Sequence, residues 1–313
     1  MKKILLSIFL LISASAFAQS DKAEAMYDEF IDLVHEGKFD NAAKKMKKLL
    51  GLKMMMEDRF DYTMQLGTLY LDSLGNMKEA RKCFEAAHKM EEDLLEESLG
   101  NVNLAQLLAV HYHLGVLADS ARSYSKMREI SDCGLQLFDK VTAAKRMDSH
   151  AQNNLVQLRS MLYVNRAKAY GAQGKNDKAI ADFDMAQSIV AQAINDPVGG
   201  NPHNYMLKWS YNVMETSFVS NVMNDKQKAA EVAKRMVTDV ERAIRVDNEA
   251  FRKELEKQGP FFIYHIASAC FDAGQYEDCL RYCNDGLTWP ANAYAPLLQE
   301  KRGEALKKLN RTE

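Results

Sequence analysis

Proline is scarce in this chain, five in 313 residues, and glycine stands at only 15. Little room is left for long loops or for many strands joined by turns. Cysteine is also sparse. The five, Cys83, Cys133, Cys270, Cys279 and Cys283, are too few for a disulfide scaffold. Their odd number leaves at least one free or paired between chains. An excess of charge of either sign is missing: 41 Lys and Arg stand against 43 Asp and Glu. That balance excludes a general nucleic-acid binder. No long apolar run follows the first dozen residues. The G-x-S-x-G, H-E-x-x-H, Walker and dinucleotide glycine patterns are absent too, so no catalytic class and no cofactor is indicated.

What is present begins with a targeting segment. Lys2 and Lys3 give a basic start, Ile4 to Ile12 is apolar apart from Ser7, and Ala16-Phe17-Ala18 precedes Gln19. This order predicts a secretory signal peptide over residues 1–18, too short to span a membrane. No Cys stands near the cleavage site, so lipid attachment is not expected. The expectation is a periplasmic or secreted chain of bacterial style, with no integral membrane segment after cleavage. Without Lys2 and Lys3 the balance is 39 against 43.

The stretch from Tyr163 to Ala191 reads as a helical hairpin. Tyr163, Ala167 and Tyr170 form one apolar stripe, Gly174 breaks the helix, and Ala179, Phe183, Ala186 and Ile189 form a second stripe. Small alanines let two helices approach while the aromatics fill the contact. The same intervals recur. Gly37 is followed by Ala42, Met46 and Leu49; Gly75 by Ala80, Phe84 and Ala87; Gly274 by Cys279, Cys283 and Gly286. They recur weakly after Gly115 (Ser120, Tyr124, Met127) and after Asn224-Asp225 (Ala229, Ala233, Met236). In the second hairpin one extra residue separates Tyr70 from Gly75.

Leu66-Gly67 with Tyr70, then Ala80, Phe84 and Ala87, resembles the signature of the tetratricopeptide repeat (TPR) family. The resemblance implies an all-α, right-handed superhelical solenoid of antiparallel hairpins. We expect one repeat domain over 19–313, with hairpins near 25–50, 60–97, 102–146, 152–195, 204–246 and 260–290. In the last, Pro260 occupies the first turn of a helix. A capping helix follows over 295–310. The segment Asp196 to Asn204, DPVGGNPHN, is the clearest loop.

The family's first helices line a concave groove that binds a peptide or a partner helix. Tyr27, Ile31, Met64, Thr68, Asn165, Lys168, Tyr264 and Ser268 are the candidate partner-binding residues on that face. The expected function is a non-catalytic scaffold or adaptor whose partner is another protein or peptide. A glycan- or nutrient-binding protein of the SusD type, which also carries TPR hairpins, is the alternative. It would place Trp or Tyr in a shallow pocket beside Asn and Asp, within Asn201 to Trp209.

Other clusters are weaker. Cys270, Cys279 and Cys283 occupy positions that want small apolar residues, where buried thiols serve well. A disulfide from Cys270 to Cys279 or Cys283 is the next reading, and export favours it over a metal site completed by His265. No metal site is expected. Glu85-x-x-His88 has a di-iron spacing, but Phe84 and Ala87 take the inward face and leave both residues exposed. His111 and His113 are two apart on a helix and point apart. An enzyme would need a deep polar pocket around His265 or His150. The lysines around Met46 read as a solvated face.

Overall fold

The computed structural model describes residues 21–98, 104–144, 149–195, 200–290 and 292–311. The expected signal peptide lies outside them. Among the described residues all regular structure is helical. Helices α1 (Asp21–His35), α2 (Phe39–Leu50), α3 (Met56–Thr68), α4 (Met77–Ser98), α5 (Leu104–Ser120) and α6 (Tyr124–Ala144) form three hairpins. Helices α7 (Ser149–Ala172), α8 (Asn176–Ile194), α9 (Asn204–Asn221), α10 (Lys226–Ala243), α11 (Glu249–Asp272) and α12 (Tyr276–Leu287) form three more, and α13 (Ala295–Lys308) follows. None of these helices is long and apolar enough to cross a membrane.

The chain divides into two compact units between residues 145 and 146. Within each, every helix packs on the next in sequence. First helices of successive hairpins also meet: α3 with α5 in one unit, α7 with α9 and α9 with α11 in the other. This is solenoid packing, in which each hairpin buries its apolar side against its neighbours.

One turn geometry generates the hairpins. Gly37, Gly75, Gly174 and Gly274 have φ between 63° and 74°, the left-handed region that glycine enters at no steric cost. The next residue then donates back to the first helix. Lys38 N reaches Leu33 O at 2.8 Å, Lys175 N reaches Tyr170 O at 2.9 Å, and Gln275 N reaches Cys270 O at 2.9 Å. A residue five positions past each turn, then nine, then twelve, faces the hairpin contact. Ala42, Met46, Leu49, Ala80, Phe84, Ala87, Ala179, Phe183 and Ala186 are all fully buried or nearly so.

The third hairpin corrects the expected register. Gly115 is buried inside α5 and makes no turn. The turn residue is Arg122, at φ 53°, with Ser123 N donating to Ala118 O at 2.8 Å. Counting from Arg122 puts Met127, Ser131 and Gly134 at the core positions, and all three are buried. Ser120 and Tyr124 are not core residues of α6. The arginine hid this turn because it pays the left-handed strain that glycine would avoid. In the fifth hairpin Asn224, at φ 55°, takes the place of glycine, and the Asp225 side chain accepts from Lys228 N at 2.9 Å to cap α10.

The extra residue before Gly75 is absorbed by a π-helical turn at Leu69–Ser73, where Leu74 N donates to Leu69 O at 3.1 Å. Pro260 is also corrected. It lies in the middle of α11, which starts eleven residues earlier, where Asn248 accepts from Phe251 N at 2.9 Å. An N-cap this strong sets the helix start, and Pro260 is carried inside as a missing donor. Beside it, Gly259 lets the Trp289 ring lie on the backbone; a Cβ there would stand 2.4 Å from the indole.

Candidate functional site

The structure separates the eight candidate residues of the first-helix face. Met64, Thr68 and Asn165 are buried, so they cannot line an open groove. They face neighbouring helices, which is where an inner first-helix position points once the next hairpin is stacked. Tyr27 bridges α1 to α3: its hydroxyl donates to Gln65 Oε1 at 3.2 Å and its ring stacks on Tyr62 at 5.0 Å. Tyr264 stacks on Tyr294 at 6.0 Å. Ile31 and Lys168 are half-buried.

Ser268 is the one that opens onto a cavity. A space of about 190 Å³ lies between α9, α10 and α11. Thr216, Ser217, Ser220 and Asn221 of α9 line it, with Lys226 at the start of α10 and His265, Ser268 and Asp272 of α11. Two inward atoms have no hydrogen-bond partner among the described residues, His265 Nε2 and Ser268 Oγ. Burial lowers the His265 pKa to about 4, so the ring is neutral at ordinary pH. A neutral imidazole nitrogen and a hydroxyl side by side can satisfy a group that both donates and accepts, such as a peptide amide. Lys226 Nζ donates to Ser220 Oγ at 2.7 Å and holds the rim.

His265 and Ser268 do not bond to each other, since both atoms lack partners. His150 lies among residues whose side chains the structure does not describe.

A second cavity of about 260 Å³ lies between α8, α9 and α10, walled by Trp209, Asn212, Lys208, Arg235, Asp184 and Asp239 among others. Several of its charges are paired within the fold. Lys208 Nζ reaches Asp239 Oδ2 at 2.6 Å, and Arg235 reaches Asp184 at 3.1 Å and Glu215 at 3.3 Å. Trp209 is fully buried, edge-on to Phe262 at 5.1 Å, and Tyr205 is buried beside it. The segment expected to offer sugar-stacking rings has therefore spent them on the core.

The cysteine trio is resolved as buried thiols. Cys270, Cys279 and Cys283 are free of disulfides and fully buried. Burial pushes Cys270 up to about 12, and the hydrogen bond between Cys279 and Cys283, with burial, raises Cys279. The same bond lowers Cys283, against the effect of its burial. Cys279 and Cys283 take core positions where other hairpins place Ala and Phe.

The sequence did not foretell one further cluster. Glu85 and His88 are exposed, as their helical positions require. His88, however, meets Glu91 one turn later and His111 from α5.

These hairpins match a known repeat. The family model of the tetratricopeptide repeat fits residues 61–94 and 162–189, the second and fourth hairpins. The chain carries tetratricopeptide repeats. Solved structures with the same kind of hairpin include a kinesin light chain repeat protein of Podosopora anserina, 15% identical, covering 83% of this chain and all of that one, TM-score 0.49. A thermophilic TPR protein of Thermus thermophilus is 14% identical over 79% of this chain and 99% of that one, TM-score 0.34. A TPR protein of Parabacteroides merdae is 11% identical over 91% and 98%, TM-score 0.32. At these values none carries an argument about overall shape or partner. No curated protein matches the sequence.

Proposed function

We propose that this chain is a non-catalytic scaffold that holds an extended peptide or partner segment against its first-helix face after export to the periplasm or beyond. The repeat hairpins support the scaffold. The observation that carries the peptide reading is the α9–α11 cavity, where His265 Nε2 and Ser268 Oγ stand buried and unpaired. An unmet polar group of this kind costs about 1–3 kcal/mol, which a bound amide returns. The stacked helices need no reordering to present it, so association loses little entropy.

A photo-crosslinker placed at exposed Ser217, on the cavity rim, tests this in the native cell. Expected are protein adducts from Ser217 that fade in Ser268→Ala, and none from exposed Glu231 on the second helix. The recovered chain should begin at Gln19. Retention on a glycan column with no protein adduct would favour the nutrient-binding alternative instead.

A further inference from the structure

His88 and Glu91 lie one turn apart on α4, and His111 lies on α5. Glu91 Oε2 is 3.0 Å from His88 Nδ1 and 3.1 Å from His111 Nε2. His111 is buried, Glu91 is nearly so, and His88 is half-exposed. The other ring nitrogen of His111, Nδ1, is 3.2 Å from the Ile130 carbonyl on α6. A carbonyl only accepts, so Nδ1 carries a hydrogen.

That tautomer turns the His111 Nε2 lone pair toward Glu91. The carboxylate is also incomplete. Glu91 Oε1 is closed to solvent and has no partner among the described residues. One carboxylate and two imidazole nitrogens thus converge on one point between α4 and α5.

We propose that His88, Glu91 and His111 form a mononuclear site for a divalent late first-row metal, Zn²⁺ first among them. Two histidines and a carboxylate are a known zinc set, with water completing the tetrahedron. The three ligand atoms already lie within 4.8 Å of one another. Zinc bonds of about 2.0–2.2 Å place tetrahedral ligands roughly 3.3 Å apart. A small rotation of the half-exposed His88 ring supplies the difference. The Ile130 carbonyl is the outer partner that metal-bound histidines require, fixing the tautomer that leaves Nε2 free. Lys126, the cation whose charge reaches His88, is itself paired with Glu129 at 3.2 Å. The water position falls on the open His88 side. Metal there ties α4 to α5, clasping the second hairpin to the third.

Titration of the full chain with Zn²⁺ by calorimetry tests the site. One ion per chain is expected, with a melting temperature that rises with zinc. His88→Ala removes an exposed ligand without touching the core and should weaken binding at least tenfold. Glu91→Gln should do the same. Because thiols also bind zinc, Cys133→Ser, the exposed cysteine on α6, should bind unchanged. The Co²⁺ form should lack a sulfur charge-transfer band. No saturable binding, binding that survives His88→Ala, or binding lost in Cys133→Ser overturns the proposal.

Discussion

His113 and His265 are two buried imidazoles whose pKa values burial has lowered to about 4. Above pH 6.5 neither the folded nor the unfolded chain protonates them, and they add nothing to the pH dependence. As pH falls below 6.5 the unfolded chain takes up protons that the fold refuses, so stability falls until about pH 4. His265→Leu isolates one of these groups. Wild type should lose about 2–3 kcal/mol relative to the variant between pH 6.5 and 4.5, measured by denaturant unfolding. An unchanged difference would mean that His265 charges freely inside the fold. The sequence named His265 as a possible fourth ligand beside the cysteine trio and as part of the polar pocket that an enzyme would need. It did not reveal the cluster of His88, Glu91 and His111. Periodicity correctly placed His88 outward, but its meeting with His111 comes from the packing of α4 on α5, which the period of a single helix does not report.

At the scale of the element, second helices that follow a glycine turn were legible and first helices were not. A second helix starts three or fewer residues past its turn, so its small and large core residues fall at fixed distances from a visible glycine. The ends of first helices are set elsewhere, by a cap such as Asn248 or by the π turn at Leu69–Ser73. That is why Pro260 misled and why Arg122 went unseen. The terminal helix α13, expected as a capping helix, packs on the last hairpin. Leu298 and Ala305 are fully buried, and Leu298 sits against Gly286, where a Cβ would stand 2.8 Å from its methyl group. Leu298→Ala should cost about 2–5 kcal/mol and lower the melting temperature of the second unit. A melt unaffected by it would show that α13 covers nothing needed.

For the whole molecule, the division into two units follows from where contacts concentrate. Buried residues from α7 through α13 form two continuous cores that share Ile194 between them at their margins. Such a set of hairpins meets its packing needs locally, as repeat arrays do. Residues 149–311 alone should therefore fold, giving a cooperative helical melt by circular dichroism. A fragment without cooperative unfolding would show that the first unit is required. The sequence was read as one repeat domain over 19–313 because the hairpin intervals recur along it, and in a repeat array length is a poor counter of domains.

The π turn has a consequence for how such a chain can change. Tyr70 and Gly75 are one residue further apart than Tyr170 and Gly174, yet Ala80, Phe84 and Ala87 keep their places in the core. The extra residue is thus contained within five residues. Arrays built this way can be edited one residue at a time in a first helix, reshaping the face offered to a partner while the interlocking second helices inherit their register unaltered.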